Sequence, residues 1–484
     1  MPLKLIQLLG LMVLVSGCMV GPDYRQPESH LPESWRSTPA DQTPNAKKSL
    51  EQLWWRNFND PVLNQLIAKA AENNLDIDLA GKRITEARAV RASASAVLLP
   101  SGDMMASANR QGNQLGFPGG GPINLSSVVK KPFNIFKAGF DASWELDLFG
   151  GHRREIESAQ AELEAAAISQ EDILVTTLAE VARTYFDIRL YQAQLQLAYQ
   201  VVDSDGQTSS IAKERFKFGD IPESDVTRAA ARQEHDQAQI AYYSSLLAQA
   251  EYSLDVLLGE LPGAAHDRTA ASSSLPATAS DLVFAAPAQV IANRPDIRYA
   301  ERKLASATAQ QGVAVAKFFP DISLSGFIGL FNTNANNFFN MTSKSFAMSA
   351  SVFWPILSYG TLSANLDAAD ARQQAALAQY QKTVLGALAD VERAFTAYSQ
   401  QEKYRQSLEQ ESLANQHLLE IAKERYHQGL TAYPEVLDAE RSLFASRNQL
   451  AQAETQTAQD LVAVYKSLGG GWKSAADSKS DDIH

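Results

Sequence analysis

The chain has 484 residues, 45% of them apolar and 20% charged, a formal net charge of −12 and a single cysteine. The acidic balance and the lack of any long Lys/Arg cluster argue against a nucleic-acid binder, which carries a basic face. One cysteine excludes an intramolecular disulfide framework and any multi-cysteine metal site; length alone suggests about three ordinary domains.

Residues 1–17 read as a targeting segment. Lys4 gives a positive start, and Leu5 to Val15 give an apolar run shorter than the ~20 residues a helix needs to cross a bilayer. Leu14-Val15-Ser16-Gly17-Cys18 resembles a bacterial lipoprotein signal, in which the cysteine sulfur takes a diacylglycerol before cleavage and Cys18 becomes the first mature residue. The competing reading is an inert thiol beside an ordinary cleavage site. Met19 follows, not the Asp that by the same resemblance favours retention in the inner membrane. No later stretch is long and apolar enough for a membrane helix.

Residues 62–97 read as helical and stop at Leu99-Pro100, because proline cannot continue a helix and pushes its predecessor to extended geometry. A two-strand segment follows. From Phe136 to Leu148 the even positions are apolar, including Phe140, Trp144 and Leu148, while Lys137, Asp141, Glu145 and Asp147 are odd; that is the period of a strand with two unlike faces. Its leading partner, Met104 to Ala108, alternates only weakly. The glycine run in 112–127 lacks the Gly-Lys-Ser/Thr of a phosphate loop and reads as a long hairpin loop.

Residues 152–218 then run 67 residues without proline and with one glycine, Gly206; a continuous helix of that length would reach roughly 100 Å. Val181, Tyr185, Ile188, Leu195, Tyr199 and Val202 give a coiled-coil-like seam along it. Gly219 marks a turn, and a second helix returns to Gly259.

The same order then recurs. "AKERFKFGD" at 212–220 matches "AKERYHQGL" at 422–430, an offset of 210 that also pairs Trp144 with Trp354 and Gly150 with Gly360. Earlier the offset is 220, pairing "NNLDI" at 73–77 with "NRPDI" at 293–297 and Pro100 with Pro320. The ten-residue change falls between Pro100 and Trp144. A second helical stretch (287–317), a strand pair (Ile322 to Leu330 and Phe346 to Ile356) around a loop at 332–343, a long helix (362–428) and a return helix to Gly469 follow. A period this long is no solenoid; it describes two pseudo-equivalent halves. The expected organisation is a signal (1–17), an anchored N-terminal segment (18–61), a first repeat (62–285), a second repeat (286–472) and a polar tail (473–484).

Four short amphipathic strands on an exported chain fit an outer-membrane barrel, whose strands need about 9–11 residues. Four strands cannot close, and about eight already fill with side chains, so a passable lumen needs more than a dimer supplies. Three copies would supply twelve strands, and their long helices a second tube below.

"GCMVGPDYRQP", "LWWRNFNDPVLNQLIAKAAENNLDI", "RPDIRYAERKLASATAQQGVAVAKFFP" and "RYHQGLTAYPEVLDAERSL" resemble the outer-membrane factor (TolC-like) family, and most closely its lipoprotein branch of the OprM and NodT type. The resemblance spans nearly all of residues 18–472. It implies a mixed α and β fold: a homotrimeric twelve-stranded barrel continued by a helical coiled-coil barrel. The implied partners are outer-membrane lipid, a periplasmic adaptor and an inner-membrane, commonly proton-driven pump. It implies no chemistry and no cofactor beyond covalent lipid on Cys18. At the periplasmic tip it places gate carboxylates at Glu435 and Asp438, beside Tyr433 and Pro434, with Pro434 where related ducts often carry an apolar constriction. It implies a closed-state tether between Tyr426 and Asp225, and helix-turn tips at Gly219 and Gly429. A three-residue spacing sets Glu435 and Asp438 on one helical face; Arg228 takes the place of Asp438 in the first half.

The implied function is the outer-membrane duct of a tripartite efflux system for small toxic molecules. The duct of a type I protein secretion system is the nearest alternative. A lipid-anchored enzyme is a more distant one, since Gly-x-Ser-x-Gly, His-Glu-x-x-His and phosphate loops are missing. Seven scattered His and seven Met support no metal-specific route.

Overall fold

The computed structural model describes residues 19–27, 32, 34–36, 53–112, 132–270 and 287–470. The signal segment, Cys18, the hairpin loop from 113 to 127 and the tail from 473 lie outside the described residues.

The helices are α1 (Pro61–Asn73), α2 (Leu75–Ala96), α3 (Gly151–Lys217), α4 (Glu223–Leu257), α5 (Ala264–Thr269), α6 (Pro287–Asn293), α7 (Pro295–Ala316), α8 (Tyr359–His427) and α9 (Tyr433–Ser467). The strands are β1 (Ser101–Gln111), β2 (Phe133–Leu146), β3 (Asp321–Asn332) and β4 (Lys344–Phe353). The fold is mostly helical with one small antiparallel sheet. Among the described residues no helix is long and apolar enough to cross a membrane.

The chain divides into two compact units. One holds residues 1–27, 85–164 and 301–379; the other holds 28–84, 165–300 and 380–484.

In the first unit the strands pair in the order β1-β2-β3-β4. Met104, Phe140, Ile328 and Phe346 form one cross-strand row and are 75%, 61%, 66% and 81% exposed. A sheet of a soluble protein would cover such a row; here it faces outward on all four strands. The opposite face is polar: the Ser101 and Ser143 hydroxyls meet at 2.8 Å, as do those of Ser323 and Ser351. Lys137 lies over the Phe327 ring at 4.0 Å and reaches Asp141 at 3.3 Å. The loop from 332 to 343 is pinned through Ser343, whose hydroxyl accepts from Asn332 Nδ2 and donates to the Asn337 carbonyl, both at 2.7 Å.

Residues 19–23 belong to this unit. Arg154, 1% exposed, donates to the carbonyls of Val20 and Gly21 and to Asp23 and Glu157. Val20 N–H donates to Phe149 O at 3.1 Å, so Met19 is fixed a few residues beyond the end of β2.

The two strand pairs are held alike. Trp144 Nε1 donates to Leu98 O at 2.9 Å, and Trp354 Nε1 to Phe318 O at 3.0 Å. The tryptophans are related by 210 and the carbonyls by 220, the two offsets of the sequence repeat.

The second unit buries its core around Trp54, Phe58, Leu66, Phe186, Phe395 and Leu461. Trp54 stacks on Tyr465 at 5.7 Å and Phe58 meets Phe186 at 5.0 Å. Asp60 caps α1, accepting from Val62 and Leu63 N–H, with proline next in sequence. Its other oxygen accepts from the Tyr185 hydroxyl at 2.5 Å, and that hydroxyl accepts from Arg189 Nε at 2.9 Å.

The structure corrects the sequence reading in two places. The stretches 62–97 and 287–317 are each broken into two helices, at Asn74 and Arg294. Asn74 is extended; its Oδ1 caps α2 and its Nδ2 donates to Leu257 O at 2.8 Å. Arg294 precedes Pro295, which bars the helix there, and donates to Ser467 O at 3.0 Å. Asn74 and Arg294 are 220 apart and their acceptors 210 apart. Along α3, Val181, Tyr185 and Ile188 are fully buried, but beyond them Gln194, Ala198, Asp205 and Ser209 are the buried positions, while Tyr199 is 56% exposed. Leu195 and Val202 of the seam are half-buried, and the fully buried positions from Gln194 on are polar or small.

Candidate functional site

All the tip residues named from the sequence belong to the second unit. The turns between α3 and α4 and between α8 and α9 are built alike. Gly219 N–H donates to Phe216 O and Asp220 N–H to Arg215 O; Gly429 N–H donates to Tyr426 O and Leu430 N–H to Arg425 O, at 2.9–3.0 Å. These are Schellman caps, which need a residue in the left-handed region. Gly219 has φ +82° and Gly429 φ +71°, and a Cβ on either would meet nothing within 4 Å. The backbone angle, not packing, therefore calls for glycine at both.

Helix α9 starts with Pro434 and Glu435 in its first turn, where a carboxylate meets the positive end of the helix dipole. Glu435 and Asp438 are both exposed, with Val436, Leu437 and Ala439 buried between and beside them. Val436 and Ala439 pack on Ala422 of α8, with Tyr433 against them. Burial, then the charge of Glu440, raises the Tyr433 pKa above its usual value. Pro434 is exposed.

Asp438 is not a free carboxylate. Arg441 Nη1 donates to its Oδ1 at 3.3 Å, one turn along the helix. Asp225 pairs in the same way with Arg228, at 3.4 Å, and Tyr426 packs its ring on Tyr433 at 5.3 Å. The structure does not join Tyr426 to Asp225 within one chain. A cavity of about 390 Å³ lies between α3, α4 and α9 instead, with Asp225, Tyr433, Pro434, Leu437 and Asp438 in its lining.

Behind Asp438 lies a charged cluster that the sequence reading missed: Asp205 of α3, Arg232 and Asp236 of α4, and Arg441 of α9. Arg232 Nε stands 3.5 Å from Asp205 and 3.7 Å from Asp236. Burial, then the neighbouring Asp236 carboxylate, pushes Asp205 up to about 6, against the pull of Arg232 and Arg441. Burial and the charge of Arg232 lower the Arg441 pKa. Its members lie far apart in sequence; the only local signal was two charges on α4 at i and i+4.

A family profile described as outer membrane efflux protein matches residues 66–260 and 286–470. The chain belongs to the outer membrane efflux protein family. It is 32% identical to nodulation protein T of Rhizobium leguminosarum bv. trifolii, over 96% of this chain and 97% of that one. It is 31% identical to the solvent efflux pump outer membrane protein SrpC of Pseudomonas putida, over 95% and 97%. Among solved structures, the outer-membrane channel OprN superposes with a TM-score of 0.84 at 32% identity, covering 94% of this chain and all of that one. The open state of the Neisseria gonorrhoeae outer membrane channel MtrE gives 0.79 at 28% identity, over 94% and 99%. The family is one of outer-membrane channels, not of enzymes.

Proposed function

We propose that this protein is the outer-membrane duct of a tripartite efflux system of a Gram-negative bacterium, exporting small toxic molecules received through a periplasmic adaptor from an inner-membrane pump. The observation that carries the reading is the sheet. Its four strands are 10–14 residues long, long enough to span a bilayer, and one face is apolar and exposed while the other is lined with hydroxyls and charges. Such a sheet has two open edges, which lipid does not tolerate. Three copies close it as a twelve-stranded barrel with the apolar face to lipid and the polar face to a water-filled lumen.

The halves 62–285 and 286–472 are products of one internal duplication; the paired Trp144/Trp354 and Asn74/Arg294 bonds support it. Cys18 carries the lipid anchor. Its neighbour Met19 is fixed close to the end of β2, so the acyl chains would enter the leaflet that the strand end meets.

At the tip, threefold symmetry would turn Glu435 and Asp438 into rings of carboxylates that attract cations, with Tyr433 and Pro434 beside them. Tyr426 and Asp225 are the residues that tie the two hairpins when the mouth closes; Gly219 and Gly429 are the turns that move. The duct supplies a path and no chemistry, and needs no cofactor beyond the lipid. Its pump, proton-driven in this reading, selects the cargo.

Deleting the gene should raise the intracellular accumulation of several unrelated toxic compounds. Unchanged accumulation with loss of a secreted protein would instead assign the duct to type I secretion.

A further inference from the structure

The outward face of the sheet carries almost no charge, and what it carries is confined to one end. In the paired ladder the even-numbered residues of all four strands share a face with Met104, Phe140, Ile328 and Phe346. Among them only Arg110 and Lys344 are charged, and both are cations; Asp103, Lys137, Asp141, Glu145 and Asp321 fall on odd positions, on the polar face. Arg110 lies near the end of β1 and Lys344 starts β4, so both stand at the loop end of the sheet, away from the helices that join the strands at their other ends. Both are exposed, and among the described residues neither forms an ion pair.

The loop from 332 to 343 bends over that same face. Phe338 packs its ring on Phe136 at 6.3 Å, and Asn332, paired with Phe136 across the ladder, holds Ser343 through its amide. Both grips are even-numbered side chains, so the loop leans toward the outward face. Asn334 fixes its course by accepting from Asn336 N–H at 2.9 Å. On this pinned backbone Phe339 meets Phe338 at 5.2 Å, yet Phe339 is 86% and Met341 74% exposed. Large apolar side chains held out together mark a contact surface. We propose that this rim is a docking surface for a phosphorylated, multiply acylated lipid of the outer leaflet: Arg110 and Lys344 take the phosphates, and Phe338, Phe339 and Met341 lie among the acyl chains. It rests on the duct reading, which sets the even face against lipid and the loop end outward.

A cation on a lipid-facing strand is costly at the bilayer midplane and nearly free close to the interface, so Arg110 and Lys344 mark the level of the headgroups. Their stems can lie along apolar surface while the charged ends reach outward. A phosphate there accepts charge-assisted hydrogen bonds from both guanidinium and ammonium. The leaning loop adds apolar surface just inside that level, where aromatic side chains gather on barrels. The helix end of the same face is different: Gly102, Trp144, Leu146, Ile322 and Val352 bring no charge to it. The two ends of one face therefore suit two unlike leaflets, with the cationic end toward the one that carries phosphate.

The test uses the full trimer in vesicles of phosphatidylcholine and lipid A, with a spin label on Met341→Cys or on Phe346→Cys and the unsubstituted chain as the blank. Both labels should relax more with oxygen, which enters the acyl region, than with a water-soluble nickel chelate. Oxygen access at Phe346→Cys with nickel access at Met341→Cys puts the loop in water and overturns the docking surface alone. A Met341→Cys label shielded from both reagents puts the loop against protein and overturns it as well. Nickel access at Phe346→Cys overturns the duct reading itself. Native mass spectrometry then compares retention of bisphosphorylated lipid A with that of its dephosphorylated form. The trimer should keep the phosphorylated form in preference; Lys344→Gln and Arg110→Gln should each weaken its retention about fivefold, and Phe339→Ser should weaken retention of both forms. Equal retention of the two forms, or retention unchanged in both cation variants, overturns the phosphate contacts.

Discussion

Tyr185→Phe removes one oxygen atom from the core of the second unit. The ring is fully buried, and its hydroxyl donates to Asp60 Oδ2 at 2.5 Å while accepting from Arg189 Nε at 2.9 Å. The substitution leaves the shape unchanged but strands a carboxylate oxygen and a guanidinium N–H. Asp60 keeps its two N–H donors at the start of α1, and Arg189 keeps Gln192 and Thr269 O. At about 1–3 kcal/mol for each of the two stranded partners, the expected loss is about 2–6 kcal/mol at pH 7. There is a second signature. Burial, then the hydrogen bond to Asp60, pushes the Tyr185 pKa up to about 12, above its unfolded value of about 10. A raised pKa stabilises the fold fully below the unfolded pKa and is lost as pH climbs from about 10 through 12. Wild-type protein should therefore lose roughly 1.4 kcal/mol at pH 11 that the phenylalanine variant does not. Heat-induced loss of helicity, followed in detergent at both pH values, reads both effects. An equal gap between the two proteins at pH 7 and pH 11 would refute the assignment of that proton, and no gap at pH 7 would refute the network.

Asp438→Ala should increase single-channel conductance of the reconstituted trimer and weaken its preference for cations; unchanged selectivity would remove Asp438 from the gate. Trp144→Phe and Trp354→Phe each delete one indole-to-carbonyl bond of nearly equal length and should lower stability by similar amounts, about 1 kcal/mol; a large inequality in melting would contradict the equivalence of the halves. Cys18→Ser behind an ordinary secretory signal should abolish labelling by radioactive palmitate yet leave some trimer, since the strands and not the acyl chains span the bilayer; complete loss of trimer would show the lipid to be needed for assembly.

Much of the architecture was legible because its signals are local. The alternation around Phe140 and Trp144 belongs to β2, and the long runs without proline belong to α3 and α8. The two repeat offsets reappear as matched bonds, so the weak pattern of β1 could be placed from its stronger counterpart β3. The break at Asn74 was not legible, since asparagine is only mildly unfavourable inside a helix and its reason for being extended is the Leu257 carbonyl far along the chain. Arg294-Pro295 did carry a local signal, the proline, and mapping it back by 220 would have found Asn74. The seam of α3 departs from its spacing at Tyr199, which is exposed, whereas Asp205, 3.5 Å from Arg232 of α4, is buried; that partner lies outside the stretch. At the tip, glycine position and acidic spacing marked the turns and α9. The partner of Asp438 and the cluster behind it depend on three helices meeting, and no single stretch of sequence contains that meeting.

Closure of the sheet by three chains is the central requirement of a duct. Native mass spectrometry of the protein extracted from outer membranes should find particles of three chains, twelve strands in all at four per chain. A particle of one or two chains would contradict it, because four strands cannot close and about eight leave no passable lumen.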